Sequence, residues 1–115
     1  MEAVTTDETL RLGPLEIRPQ AFLVLADGKR LSLTVRELGL LCALARRAGR
    51  IVSREELYAV VWDQPFRKDE RSVDVYVRKL RAKLDGAMPG WSFIHTHFGF
   101  GYRLSPELDL TDGPR

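Results

Sequence analysis

The stretch Arg71–Leu84, RSVDVYVRKLRAKL, carries two patterns in fourteen residues. Val73, Val77, Leu80 and Leu84 recur at the i, i+4, i+7, i+11 spacing of a buried helical stripe. The same residues include Arg71, Arg78, Lys79, Arg81 and Lys83 against a single acid, Asp74. Laid out at about 100° per residue, the four apolar side chains fall within roughly 60° of one another. Opposite them lie Arg71, Val75, Arg78 and Ala82, with Lys79 alongside. Tyr76 and Lys83 flank one edge of the stripe, Asp74 and Arg81 the other. Such a helix seals a core with one side and offers long cationic donors, separated by small apolar groups, with the other. A DNA major groove admits an α-helix; there Arg and Lys donate to guanine N7 and O6, and small apolar groups meet a thymine methyl. On that reading Arg78, Lys79, Val75 and Ala82 meet base edges, while Tyr76, Arg81 and Lys83 donate to phosphates, which sets register without reading sequence. Asp74, four residues before Arg78, is placed to hold its guanidinium in one rotamer. Composition alone is equally compatible with a solvated basic face.

Working outward, the excess charge is confined to this segment. Residues 1–65 balance nine bases with nine acids; residues 66–84 hold seven bases against three acids, and residues 85–115 two against four. The net charge of +2 therefore understates a local concentration that suits a polyanion. At 115 residues and 44% hydrophobic content the chain is expected to form one domain with one modest core. No apolar run approaches the length of a membrane span. The start MEAVTTDETL is acidic and does not read as a secretory signal. The single cysteine, Cys42, suits a reducing cytosol and is expected as a small core residue.

The elements around the basic helix are well punctuated. LRLGPLEIRP, AFLVL and KRLSL read as three or four short antiparallel strands, with Asp27-Gly28 as a hairpin turn. Thr34 with Glu37, and Ser53 with Glu56, each have capping-box spacing. They bracket a first helix over about 34–48, closed by Gly49, and a second over about 53–62. The first helix is apolar over most of its circumference, which predicts a central position. DQPFRKD, residues 63–69, is a loop, with Asp69 as the expected cap of the third helix and Asp85-Gly86 as its end. WSFIHTHFGFGYRL reads as a hairpin around Gly99 and Gly101. Residues 1–9 and 106–115 are expected to be flexible tails flanking a domain over 10–105.

Three helices followed by a two-stranded hairpin spell an α+β winged helix, a helix-turn-helix variant. The expected architecture is an N-terminal antiparallel β-sheet, a three-helix bundle and a C-terminal β-hairpin wing. LSLTVRELGLLCALARRAGRIVSREELYAVVW, RSVDVYVRKLRAKL and IHTHFGFGYRL, in this order and spacing, resemble the C-terminal effector domain of OmpR/PhoB-type response regulators. The resemblance implies a bacterial, cytoplasmic transcription regulator that binds promoter DNA, commonly as a head-to-tail pair on direct repeats. By position it implies that Arg78, Lys79 and Arg81 lie in or beside the major groove. Arg71 and Tyr76 become phosphate neighbours, and Thr96 a backbone contact near the wing. The loop carrying Asp63, Gln64, Phe66 and Arg67 matches one through which some members touch RNA polymerase. Two departures stand out. Phe98 occupies a wing position where several members carry a minor-groove arginine, so packing or an apolar wedge is expected there instead. His97 replaces a β-branched apolar residue. These 115 residues include no receiver segment, so phosphorylation is not legible in them.

Other chemistry finds little support. His95-x-His97 is at most half of a zinc site, and the remaining thiol falls on a predicted core face. Neither G-x-x-x-x-G-K-[ST] nor H-E-x-x-H occurs, and GFGYR follows a strand instead of opening a helix, so no catalytic residue, metal or cofactor is assigned. Trp62 is expected in the core and Tyr102 as the anchor of the wing, with Phe66, Phe98 and Phe100 partly exposed. The principal rival reading is a winged helix whose basic face meets an acidic protein; a second is binding of single-stranded RNA.

Overall fold

Thr34 sets the start of the first helix through two reciprocal bonds. Its hydroxyl accepts from the Glu37 N–H at 3.1 Å, and Glu37 Oε1 accepts from the Thr34 N–H at 2.9 Å. Such a cap contributes about 1 kcal/mol. In a computed structural model, which describes residues 7–67 and 70–109, this box opens α1, Val35–Ala45. Glu37, Leu38 and every residue from Leu40 to Ala45 are buried, so α1 is central as its composition predicts. It packs on the two later helices and on the last strand. Cys42 lies in the core, and burial raises its thiol pKa.

α1 stops three residues short of the expected 48. The N–H groups of Arg47 and Ala48 turn back to the carbonyls of Leu44 and Ala45, tightening the chain into a turn. Gly49 does adopt the left-handed conformation, with φ +84°, but four residues beyond the helix, where its N–H donates to the Leu104 carbonyl at 2.8 Å. A tertiary bond thus decides where the glycine is used.

α2, Arg54–Trp62, starts at Ser53, whose hydroxyl accepts from the Glu56 N–H at 3.0 Å. The second box is only half formed. The Glu56 carboxylate turns instead to Arg47 and Arg50, at 2.9 and 3.1 Å, and their hydrogen bonds hold its pKa below the usual range. α3 spans Ser72–Ala87. Asp69, the expected cap, lies outside the described residues; the Ser72 N–H and hydroxyl are met by the Glu70 carboxylate. Asp85-Gly86 does not end α3. The helix passes through both because Met88, one turn beyond Leu84, still has core to fill.

Four strands precede the helices: β1 Leu10–Leu12, β2 Leu15–Arg18, β3 Leu23–Ala26 and β4 Lys29–Arg30, in antiparallel order β1-β2-β3-β4. Ala26 pairs with Lys29, leaving Asp27 and Gly28 as a two-residue turn with φ +54° and +81°. That is the conformation for which Asp-Gly is preferred. β4 is shorter than KRLSL suggested. Leu15, Ile17, Val24 and Ala26 turn inward and share one core with α1.

A second sheet holds the wing: β6 Trp91–His97 and β7 Gly101–Leu108, joined on the far side of β7 by β5, Ile51–Val52. The residue pattern predicts only the β6–β7 hairpin; β5, at two residues, is too short to show a period. β7 also runs past 105. Glu107 pairs with Ser92 and Leu108 with Trp91, so residues 106–108 belong to the domain rather than to a tail. At the other end Glu8 bonds Arg46 at 2.6 Å and donates its N–H to Gln20. The tail expectation for 1–6 and 110–115 falls outside the described residues. Among the described residues no helix is long and apolar enough to cross a membrane.

Candidate nucleic-acid interface

α3 is divided lengthwise into four strips. Val73, Val77, Leu80 and Leu84 are at most 1% exposed and form the core strip. The opposite ridge holds Arg71, Val75, Arg78, Lys79 and Ala82, all exposed. Among the described residues the Arg71 and Arg78 side chains have no hydrogen-bond or ion-pair partner. Lys79 Nζ rests 5.0 Å from the Tyr76 ring centroid, a contact that leaves its N–H donors open. The basic ridge predicted from the periodicity is therefore exposed, with no carboxylate paired to it among the described residues.

The two flanking strips are tied to the rest of the fold. On the wing side, Asp74 Oδ1 accepts from the Tyr102 hydroxyl at 2.5 Å, and its other oxygen lies 3.4 Å from Arg54 Nε. This corrects the expected Asp74–Arg78 pair: the acid fastens the wing instead. Burial, and then the Asp74 bond, push the Tyr102 pKa up to about 12, so the hydroxyl stays a donor across the physiological range. Arg81 Nη2 donates to Thr96 Oγ1 on β6 at 2.7 Å, bringing together two residues expected at the DNA backbone. Arg81 Nε is buried without a hydrogen-bond partner among the described residues.

On the opposite flank Lys83 Nζ donates to Glu37 Oε1 at 2.7 Å and approaches the Ser32 carbonyl at 3.4 Å. Glu37 is 2% exposed. Burial pushes its carboxyl up, but the Lys83 and Thr34 bonds outweigh this and hold it below the ordinary carboxylate range. Lys83, expected on a phosphate, thus has its ammonium turned to a buried carboxylate inside the fold. Lys83→Met should cost about 1–3 kcal/mol, below the full cost of breaking a buried pair because the lysine is partly solvated. A depressed pKa adds stability that is present above the unfolded value and is lost as pH falls through the folded one. The gap between parent and variant in urea titrations should therefore be full at pH 7 and shrink below about pH 4.5. An equal gap at pH 7 and pH 3 would remove the ion pair as its cause.

Two further arginines, which no motif singles out, line the same region. Arg54, the first residue of α2, donates to the Glu70 carbonyl at 3.2 Å besides facing Asp74, and lies over the Phe66 ring. Arg36, in the first turn of α1, donates to the Val61 carbonyl at 2.9 Å and covers Trp62. Both are cations at helix N-termini, where the macrodipole disfavours them. That anomaly is the signal that could have flagged them. The aromatics form a chain: Trp62 stacks on Tyr58 and meets the edge of Tyr76, while Phe66 meets Tyr58 edge-on. Phe66 is therefore half-buried, whereas Asp63, Gln64 and Arg67 of the same loop are exposed, Gln64 with its Oε1 accepting from the Tyr58 hydroxyl at 3.3 Å.

His95 Nε2 is 2.9 Å from the Ser105 carbonyl, and His97 Nε2 accepts from Arg103 Nε at 3.0 Å. Each ring is engaged by β7. Among the described residues no group of three or more His, Cys, Asp or Glu is arranged to hold a metal.

Comparison with known proteins identifies the family and the fold. Residues 28–104 match the family model described as "Transcriptional regulatory protein, C terminal". The chain is 40% identical over 105 residues to the transcriptional regulatory protein AfsQ1 of Streptomyces coelicolor, covering 91% of this chain and 46% of that protein. It thus spans less than half the length of this relative. The RstA DNA-binding domain of Klebsiella pneumoniae, solved in complex with the RstA box, superposes with a TM-score of 0.76 at 30% identity, over 85% of this chain and 97% of that one. The DNA-binding domain of CpxR from E. coli gives a TM-score of 0.78 at 32% identity, over 85% and 96%. With its motifs, its winged-helix architecture and this match over most of its length, the chain belongs to the C-terminal domain family of transcriptional regulatory proteins, in its OmpR/PhoB-type form.

Proposed function

We propose that this chain binds double-stranded promoter DNA with sequence preference, as the DNA-binding part of a bacterial transcription regulator working in the cytoplasm. One observation carries the proposal: the outer ridge of α3 is exposed and cationic, with no carboxylate against it among the described residues, while the helix is locked by its other three strips. Protein surfaces usually intersperse both signs of charge. A ridge left positive along a rigid helix suits phosphates and guanine edges.

In this reading Arg78 and Lys79 donate to base edges, with Val75 and Ala82 as apolar neighbours. Arg71 and the Tyr76 hydroxyl bind phosphate. Arg81 and Thr96 act as a bonded pair at the backbone beside the wing, and Lys83 is withdrawn from the contact set. The exposed residues Asp63, Gln64 and Arg67 are the candidates for polymerase contact, and pairing on direct repeats accompanies binding. The RstA domain, similar over nearly its whole length, was solved on the RstA box, which supports the same use of this fold.

Selection of bound fragments from random duplexes, followed by titration at graded salt, tests the proposal. Expected are a recovered consensus and a log–log salt slope of about −0.9 per phosphate engaged. Arg71→Ala should weaken binding alike on all sequences and flatten that slope by about one. Absence of duplex binding even at low salt overturns the proposal and favours an acidic protein partner.

A further inference from the structure

An apolar groove runs along α1 beside α2 and the short 3-10 turn Pro19–Ala21 that joins β2 to β3. Pro19 and Phe22 line it from the turn, Val35 and Gly39 from α1, and Val60 and Val61 from α2. No residue of α3 lines it, so it is separate from the cationic ridge. Three of its apolar side chains are left in solvent: Phe22 is 68% exposed, Val35 76% and Val60 48%. Exposed apolar groups gathered around one groove mark a contact surface. Phe22 adds a second sign. It holds φ +51°, a left-handed conformation that is strained for a bulky L residue and that glycine or asparagine adopts readily. The turn would close as well with either, so the strain is kept together with the ring.

The chain itself leads to this groove. β1 is antiparallel to β2, with Leu10 opposite Ile17, so the chain followed backward from Leu10 travels toward Pro19. It is pinned there at Glu8, whose N–H donates to Gln20 Oε1 at 3.0 Å. The Glu8 carboxylate accepts from Arg46 Nη2 at 2.6 Å and from Nε at 2.9 Å. Arg46 is the one charged side chain in the groove's lining among the described residues, and this chain's own acid already meets it. Gly39 lies about 10 Å along α1 from Arg46. Val4, four residues before Glu8, reaches about 13 Å from it in an extended chain. In such a chain Val4 and Thr6 fall on the same side as Glu8. Val4 then arrives over Gly39, where α1 has no side chain and only Val61 Cγ1 stands within 4 Å of a Cβ position.

We propose that the segment Val4–Asp7 docks along this groove, with Val4 against Phe22, Val35 and Val60 and the Glu8–Arg46 pair as its anchor. Residues 4–6 lie outside the described ones. Docking is intramolecular, because Glu8 already holds one end of the segment, so a short apolar contact works at high effective concentration. It covers three exposed apolar side chains as well as Val4 itself. The path of the chain entering the domain is thereby fixed on a surface that α3 does not share.

A nitroxide attached to Thr5→Cys tests this in the whole chain. Cys42 is buried and burial raises its thiol pKa, so labelling is confined to position 5. The label should broaden the amide signals of Phe22, Val35, Gly39 and Val60 and leave those of Gly99 and Phe100 in the wing sharp. Val4→Asp in the labelled chain should abolish this broadening, whereas Val4→Leu should keep it. Phe22→Asn relaxes the backbone, so the urea midpoint should not fall, yet the broadening at Gly39 and Val60 should be lost. Broadening spread evenly over the surface, or retained in full by Val4→Asp or Phe22→Asn, overturns the proposal. Labelled chains mixed with unlabelled, isotope-enriched ones should broaden none of the four signals. Broadening in that mixture also overturns the proposal and assigns the groove to a second copy.

Discussion

Arg78→Ala/Lys79→Ala is expected to lower affinity for the selected duplex by a hundredfold or more and to blur the recovered consensus at the positions facing the middle of α3. Each bidentate base contact contributes about 1–3 kcal/mol of discrimination. The side chains are neighbours, so their losses need not add. Folding should be untouched, because both are exposed and Arg78 has no intramolecular partner among the described residues. Comparing the double variant with Arg71→Ala on cognate and scrambled duplexes separates reading from positioning. Arg71→Ala should weaken both duplexes equally, whereas the double variant should lose far more on the cognate one. Equal losses on both duplexes would mean that this part of α3 holds only the backbone.

Gly101→Ala should be the most damaging single substitution to stability, with a loss of about 3 kcal/mol or more. A Cβ there would stand 2.0 Å from the Val52 carbonyl oxygen, 2.7 Å from its carbon and 2.9 Å from Ser53 Cα. All three are backbone atoms that cannot swing aside, and the residue has φ +142°. Relief requires β5 to leave β7, which also disturbs Ser53 at the start of α2. Gly99→Ala is the control. It has positive φ but open space around it, so only the conformational cost of about 1–2 kcal/mol applies. Urea unfolding of the two variants checks this; losses within 1 kcal/mol of each other would show that the close approach to Val52 is dispensable.

Much of the interface was legible because α3 is strongly amphipathic. Four apolar residues at helical spacing fixed which way the helix faces, and the ridge opposite them followed without reference to any other element. Helix starts were equally readable, since Thr34–Glu37 and Ser53–Glu56 act over three residues. Failures began where local grammar met a tertiary competitor. Glu56 left its box for Arg47 and Arg50, Gly49 answered Leu104 rather than its own helix, and Met88 drew α3 past an Asp-Gly that would otherwise stop it.

The flanks of α3 show the same division. In the sequence Asp74, Arg81 and Lys83 are polar residues beside a stripe, whose nearest sensible partners are Arg78 for the acid and a phosphate for each base. In the fold Asp74 meets Tyr102 across 28 residues of chain, Arg81 meets Thr96 across 15, and Lys83 meets Glu37 across 46. Periodicity and capping describe atoms that covalent geometry already holds close, so the sequence by itself determined the helices, the buried stripe and the basic ridge. Which cations are withdrawn from that ridge depends on contacts between distant segments. Only the packed tertiary structure brings those within hydrogen-bonding range.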